Sequence, residues 1–233
     1  MANQIRSFVR RQGHFTDAQK KAYDELAKKY IIPFSESYID FKNIFNNSSG
    51  VTLEIGFGSG FATAQIAFQN PCKNYIGIEV HRPGIGRLLR EIEEKQLSNI
   101  KIIEYDAVHV MRNMIPPSSL DAIHIFFPDP WQKKRHRKRR LIQRPFTQTL
   151  ANCLKPGGYL YMVTDWEDYA LHALEELSVL PAENAFPSGS SAAFLKNKYE
   201  RFAPAQNWRP RTRFEEKGLA VNHVIRELMF IRG

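Results

Sequence analysis

The sequence predicts an α/β domain: a mostly parallel sheet with helices on both faces. Three observations predict it. Strand-like and helix-like segments alternate five times between residues 51 and 177, as repeated βα units do. The first strand-like run, VTLEIG, is a short apolar run that stops at glycine, as a buried strand does. Acidic and glycine residues gather where the strands end, and open α/β sheets bind ligands beyond the carboxyl ends of their strands.

Taken in order, residues 1–33 read as a basic N-terminal extension. Thr16 and Gln19 form a capping box, and Asp17 suits the positive end of a helix dipole. The segment DAQKKAYDELAKKY then repeats Ala18, Ala22, Leu26 and Tyr30 at helical spacing, and its lysine-rich side reads as a solvated face. From residue 34 a second unit runs to the end. VTLEIG is followed by a helix near TAQIAFQ, the strand NYIGIEV and a helix around IGRLLREIEEKQ. IKIIEYD is a third strand, VHVMRNM a short helix and LDAIHIFF a fourth strand. A helix over RLIQRPFTQTLANCL stops at Lys155-Pro156-Gly157-Gly158, since glycine and proline end helices. GGYLYMVTD is a fifth strand, WEDYALHALEEL a helix, and VNHVIRELMFIRG supplies closing strands. Residues 181–217, rich in Pro, Ser and Arg, read as a long surface arm of the kind that carries function or lacks order.

The formal net charge is +9 over 233 residues, which favours a polyanionic partner. Cys72 and Cys153 form no CxxC pair, and the seven histidines show neither HxH nor HExxH spacing. No metal site is therefore expected, and two isolated cysteines suit a reducing compartment. The N-terminus lacks the apolar stretch of a signal peptide, and no run is long enough to span a bilayer. The expected location is the cytoplasm, with no membrane partner.

Glycines after a first strand let the backbone turn tightly and approach a ligand. A dinucleotide fingerprint needs G-x-G-x-x-G/A, but its third position falls on Phe61 or Thr63. The spacing Glu54-x-Gly56-x-Gly58-x-Gly60 instead resembles the first motif of Rossmann-like methyltransferases. In that resemblance the loop packs on the amino-acid and ribose parts of S-adenosyl-L-methionine. Glu79 then accepts from the two ribose hydroxyls, which suits a carboxylate's paired oxygens. Asp106 accepts from the adenine amino group, and Glu54 holds the ammonium group directly or through water.

RSFVRRQG, EIGFGSG, GIEVHRPGIG, FFPDPWQKKRHRKRR and VTDWEDYA together resemble the bacterial tRNA (guanine-N7-)-methyltransferase family. PDPW followed at once by a basic run is the most specific of these. The resemblance implies a Rossmann-like class I methyltransferase fold with a seven-stranded sheet. It implies a cytoplasmic enzyme acting alone, as monomer or homodimer, on N7 of a guanosine in the variable loop of tRNA. It makes Asp129 the catalytic residue, also bordering the cofactor. Lys133, Asp165, Thr212, Arg213, Phe214 and Glu215 would contact the substrate, and Arg135, His136, Arg137, Lys138, Arg139 and Arg140 the RNA. On physical grounds alone, such a run neutralises phosphates and releases their counterions; its competitor is a targeting signal. RSFVRRQG adds a second cationic patch with Phe8 for stacking, or is a flexible basic tail.

Three other readings stay open at this point: a methyltransferase for another RNA base or atom, a non-catalytic RNA-binding relic of the fold, and a nicotinamide dehydrogenase. Phe61 disfavours the last, and intact Glu79, Asp106 and Asp129 disfavour the relic.

Overall fold

The computed structural model describes residues 13–178 and 193–233. RSFVRRQG, apart from its last glycine, lies outside the described residues, as do residues 179–192 of the C-terminal stretch.

Seven strands form one sheet: β1 (Val51–Ile55), β2 (Asn74–Ile78), β3 (Ile100–Ile103), β4 (Leu120–Phe126), β5 (Leu154–Thr164), β6 (Leu195–Asn197) and β7 (Arg226–Arg232). Their order is β3-β2-β1-β4-β5-β7-β6, with β7 antiparallel to both of its neighbours and the remaining pairs parallel. The chain runs outward from β1 to β3 and then returns to the other side of β1 at β4. That reversal is the switch point at which such sheets leave a crevice.

Alternate side chains of the strands fill two separate cores. Leu53, Ile76, Ile123, Leu160 and Phe230 point to one face, under α5 (Ala107–Asn113), α6 (Phe146–Cys153) and α7 (Glu167–Ser178). Tyr75, Ile102, Phe126, Tyr161 and Met229 point to the other. There α1 (Asp17–Tyr30), α3 (Phe61–Gln69) and α4 (Arg82–Glu94) pack. Burial on both faces lets apolar residues occupy successive strand positions, as at Ile102 and Ile103 of β3 and Ile125 and Phe126 of β4.

The capping box of α1 forms as read, with Thr16 Oγ1 accepting from Gln19. Its lysines face solvent while Ala22 and Tyr30 bury into the second core. The extension thus packs on α4, and Ile31 bridges to Ile102 at the edge of β3. A short helix, α2 (Phe41–Phe45), was not expected from the sequence; Asp40 caps it, accepting from Asn43 N–H.

Two expectations need correcting. The helix read over RLIQRPFTQTLANCL begins only at Phe146. Pro145 has no N–H to donate and bars its predecessor from helical backbone. The stretch 181–217 is not all surface arm: Leu195–Asn197 pairs with β7, and Arg213 opens α8 (Arg213–Ala220). Between them Ala203 bridges to Glu227, and the Trp208 ring stacks on His124 at 4.9 Å.

Candidate active site

The loop after β1 carries Gly56, Gly58 and Gly60 at φ 73°, 57° and 71°, a left-handed backbone that costs other residues. Glu79, at the end of β2, holds this loop in place. Its Oε2 accepts from Gly58 N–H at 2.8 Å, and its Oε1 from Val80 N–H at 2.7 Å and His81 N–H at 3.1 Å. Gly84 lies so close on α4 that a Cβ there would meet the Gly58 carbonyl at 2.0 Å.

Two clefts open on either side of this loop and share Gly56, Gly58 and Phe127 as a wall. The first, of about 400 Å³, is lined by Ile78, Val80, Tyr105, Ala107 and Leu141, with the polar groups of Glu79, His81 and Asp129. The second, of about 600 Å³, has Glu54 and Phe126 in its lining, with Phe61 and Arg87 on one side and Arg211 to Phe214 on another.

Asp129 follows β4 on the exposed wall of the first cleft. On each side of the Pro-Asp-Pro unit stands an aromatic residue in left-handed backbone, Phe127 at φ 49° and Trp131 at φ 46°. Such conformations cost roughly 1–3 kcal/mol each and persist where the surroundings enforce them, often at functional sites. Phe127 is fixed by its N–H bond to the Val163 carbonyl and packs 5.2 Å from the Phe214 ring.

The other expected cofactor residues fall around the same loop. Glu54 is 4 % exposed and accepts from Thr63 Oγ1 at 2.8 Å. Burial pushes its carboxyl up to about 7; the Thr63 hydrogen bond opposes this, and the charge of Glu79 adds to it. Asp106 caps α5, its Oδ1 accepting from Val108 N–H at 2.8 Å, and so sets its neighbours Tyr105 and Ala107 on the cleft wall. A carboxylate has acceptor sites beyond this one, so capping leaves room for the expected base contact.

The basic run forms a 3-10 helix, Lys134–Arg139, with Lys133 as its cap residue. Its charges divide into two sets. Lys133, Lys134, Arg135 and Lys138 are exposed. Arg137 bridges to Asp168 at 3.0 Å, and Arg139 lies over the Trp131 ring at 4.0 Å. Arg140, expected to contact RNA, is 1 % exposed; it pairs with Asp168 and donates to the Pro130 carbonyl at 3.0 Å. Its guanidinium therefore fastens the basic helix to α7 and to the Pro-Asp-Pro unit rather than meeting a phosphate. His136 is held below the usual imidazole range by partial desolvation and then by Arg135, Lys133 and Arg139, which disfavours a cationic role.

Of the expected substrate residues, Asp165 follows β5, 14 % exposed, with Oδ2 2.7 Å from His223 Nδ1. Thr212 caps α8, accepting from Glu215 N–H at 3.2 Å, while Arg213 and the exposed Phe214 line the second cleft. Glu215 does not join them. Its carboxylate is buried and takes both ends of the Arg209 fork, with Arg209 Nη2 to Oε1 at 2.8 Å. The spacing Thr212-x-x-Glu215 is in part a helix-start signal, and its acid turns inward.

Sequence reading missed Phe61, Arg87 and Arg211 in the second cleft, and Arg209 and His223 behind it. Arg211 could have been found as a cation flanking Thr212; Phe61, Arg87 and His223 reach their places only through tertiary packing. Among the described residues no cluster of His, Cys, Asp and Glu could hold a metal ion, and no helix is long and apolar enough to cross a membrane.

Comparison with known proteins shows what the chain as a whole is similar to. Residues 48–228 match the family described as putative methyltransferase. The tRNA (guanine-N(7)-)-methyltransferase of Nitrosomonas eutropha is 50 % identical over 229 residues, 98 % of this chain and 97 % of that protein. The protein of the same name from Chromobacterium violaceum is 46 % identical over 228 residues, 98 % of this chain and 96 % of that one. Among solved structures, the 16S rRNA methyltransferase KamB superimposes with a TM-score of 0.53 at 13 % identity, over 87 % of this chain and 98 % of that chain. That likeness speaks for a shared fold.

Proposed function

The chain belongs to the tRNA (guanine-N(7)-)-methyltransferase family, and on that premise we propose that it transfers a methyl group from S-adenosyl-L-methionine to N7 of a guanosine in the variable loop of tRNA. The observation that carries the reading is Asp129, held between two prolines on a cleft that meets the glycine loop and adjoins an exposed basic helix.

The residues present fit the cofactor. The first cleft offers an apolar slot for a flat base between Val80, Tyr105, Ala107 and Leu141, with Glu79 beside it for a diol. Its volume lies in the range of small-molecule sites. When bound, S-adenosyl-L-methionine supplies an electrophilic methyl on a sulfonium.

Guanine N7 carries an in-plane lone pair and needs no general base, so alignment is the main demand on the protein. The base gains positive charge as it is methylated. Asp129 would stabilise that charge electrostatically, an effect strongest for groups fixed in advance. Asp165 accepts from guanine N1–H and the 2-amino group, which adenine lacks, and His223 orients its carboxylate. An Arg fork to N7 and O6, the common guanine contact, would block the reacting atom. Phe214 and Phe127 offer rings to an extruded base, whose unstacking costs roughly a few kcal/mol. Lys133, Lys134, Arg135 and Lys138 carry the phosphate contacts. The enzyme acts alone in the cytoplasm, as monomer or homodimer.

The test is transfer of labelled methyl from S-adenosyl-L-methionine to unmodified tRNA, followed by nucleoside analysis. The expected product is 7-methylguanosine, absent when the variable-loop guanosine is replaced by adenosine. A methylated nucleoside of any other kind would overturn the reading.

A further inference from the structure

Among the described residues, none of α1 lines either cleft, yet its contacts converge on two walls of the first one. The centre of these contacts is Glu104, just past the end of β3. Its Oε1 accepts from Arg82 Nε at 2.8 Å, and its Oε2 accepts from the Tyr23 hydroxyl of α1. The Arg82 guanidinium also lies over the Tyr23 ring, 5.4 Å from its centre. Burial, and then Glu104, push the Tyr23 phenol up to about 12, so its proton stays in the hydrogen bond. Each member of the ion pair is next in sequence to a cleft wall: His81 precedes Arg82, and Tyr105 follows Glu104. The chain on either side of α1 touches the same two walls. Gly13 backs onto His81 so closely that a Cβ there would meet its Nε2 at 2.5 Å. Phe34 stacks on Tyr105 with ring centres 3.9 Å apart. Between these contacts α1 presses on α4, where a Cβ at Gly86 would meet the Gln19 carbonyl at 2.5 Å.

Apolar packing is enough to dock α1. Ala22 and Tyr30 are buried in the second core, and Ile32 N–H donates to the Ile102 carbonyl. Burial of that kind is non-directional, whereas a carboxylate held by two donors is fixed in place and angle. The Arg82 side chain is 63 % exposed, so its ion pair adds little stability of its own; what the network adds is aim. Tyr105 is itself 40 % exposed, so burial alone does not hold its ring. A slot for a flat base depends on such aim, because a gap of roughly 0.5–1 Å already forfeits a quarter or more of the dispersion contact. Resting on the cofactor named above, we propose that Tyr23 is a positioning residue of the first cleft: through Glu104 and Arg82 it sets the walls Tyr105 and His81. The N-terminal helix is then part of the cofactor site without touching the cofactor.

The experiment is calorimetric titration of the full chain with S-adenosyl-L-methionine for wild type, Tyr23→Phe, Tyr105→Ala and the double variant, with steady-state kinetics on tRNA beside it. Tyr23→Phe removes one hydroxyl and keeps the ring that meets Phe15 edge-on. Circular dichroism confirms that each variant folds. Tyr23→Phe should weaken cofactor binding about fivefold, as loss of one hydrogen bond of ordinary strength does. The KM for the cofactor should rise to match, with kcat moving by less than about twofold. In the Tyr105→Ala background the same substitution should cost less than about twofold, because the wall it acts through is gone. Unchanged cofactor affinity in Tyr23→Phe overturns the proposal, as does a fall in kcat with KM unchanged. So does an equal loss in both backgrounds, which would mean that the effect of Tyr23 does not pass through Tyr105. Failure of wild type to bind the cofactor would count against the proposed function itself, a result distinct from all of these.

Discussion

At the scale of single residues, the site depends on two carboxylates with opposite demands. In the proposed reaction Asp129 acts on charge that appears only as the methyl transfers, so its expected effect is on turnover rather than binding. Asp129→Asn keeps the shape and removes the charge. Single-turnover transfer at saturating tRNA and cofactor should fall roughly a hundredfold or more, with both dissociation constants changed by less than about threefold. A near-normal rate would end the electrostatic role. In the proposed site Glu54 is the reverse case, a charge that costs the empty protein and would serve the bound one. Its carboxyl rises from 4.5 to about 7 on folding, mainly through burial. The folded state therefore holds more protons than the unfolded one between those values, and stability from this group falls as pH rises through that window. Glu54→Gln should stabilise the cofactor-free protein at pH 8, by up to about 3 kcal/mol, and leave it unchanged at pH 4. The same variant should weaken cofactor binding. Urea unfolding at both pH values decides the matter; a destabilised variant at pH 8 would show that Glu54 is ionised and satisfied without ligand.

At the scale of elements, the basic 3-10 helix shows how a run of like residues divides its work. Each phosphate contact adds about one unit to the slope of log affinity against log salt. Replacing Lys133, Lys134, Arg135 and Lys138 with glutamine should flatten the tRNA-binding slope by about three to four, with melting temperature unchanged. Arg140→Gln should do the opposite, lowering melting temperature and leaving the slope alone, because its partners are Asp168 and the Pro130 carbonyl. A flattened slope from Arg140→Gln would put its guanidinium back on the RNA. Nothing in QKKRHRKRR distinguishes the buried arginine from its neighbours, because the difference arises where α7 meets the run and local sequence does not record that contact. The βα units were legible for the converse reason: burial on both sheet faces writes apolar runs, and the turn chemistry between them is local. The glycine loop, Glu79 and Asp129 were legible because strand ends are. Glu215 misled, since T-x-x-E spacing serves a helix start as well as a ligand, and its side chain turns toward Arg209. The second cleft was invisible because its walls come from α3, α4 and α8, far apart in the chain.

At the scale of the whole molecule, a buried ionic cluster joins the sheet to α8. Arg209 donates to Glu215 on α8 and, at 2.8 Å, to Glu227 on β7. Glu227 also accepts from the Tyr161 hydroxyl on β5 and from Gln206 N–H at 3.2 Å. Trp208, one residue before Arg209, packs on His124 and Tyr161 over the same face. His124 is buried and held down to about 3, so the stack stays uncharged and Arg209 supplies the positive charge of this cluster. Removing one partner of a buried ion pair leaves the other desolvated and alone, at about 3–5 kcal/mol. Arg209→Met should therefore destabilise the protein by that amount at pH 8. Two acids, Glu215 and Glu227, are left behind with side chains 5 % and 4 % exposed. Adding Glu215→Gln to Arg209→Met should recover part of the loss at pH 8, because it removes one stranded charge while keeping its shape. Urea unfolding of the three proteins at pH 8 measures both effects. If the second substitution recovers nothing, then Arg209 fills space rather than balancing charge, and α8 is held in place by packing alone.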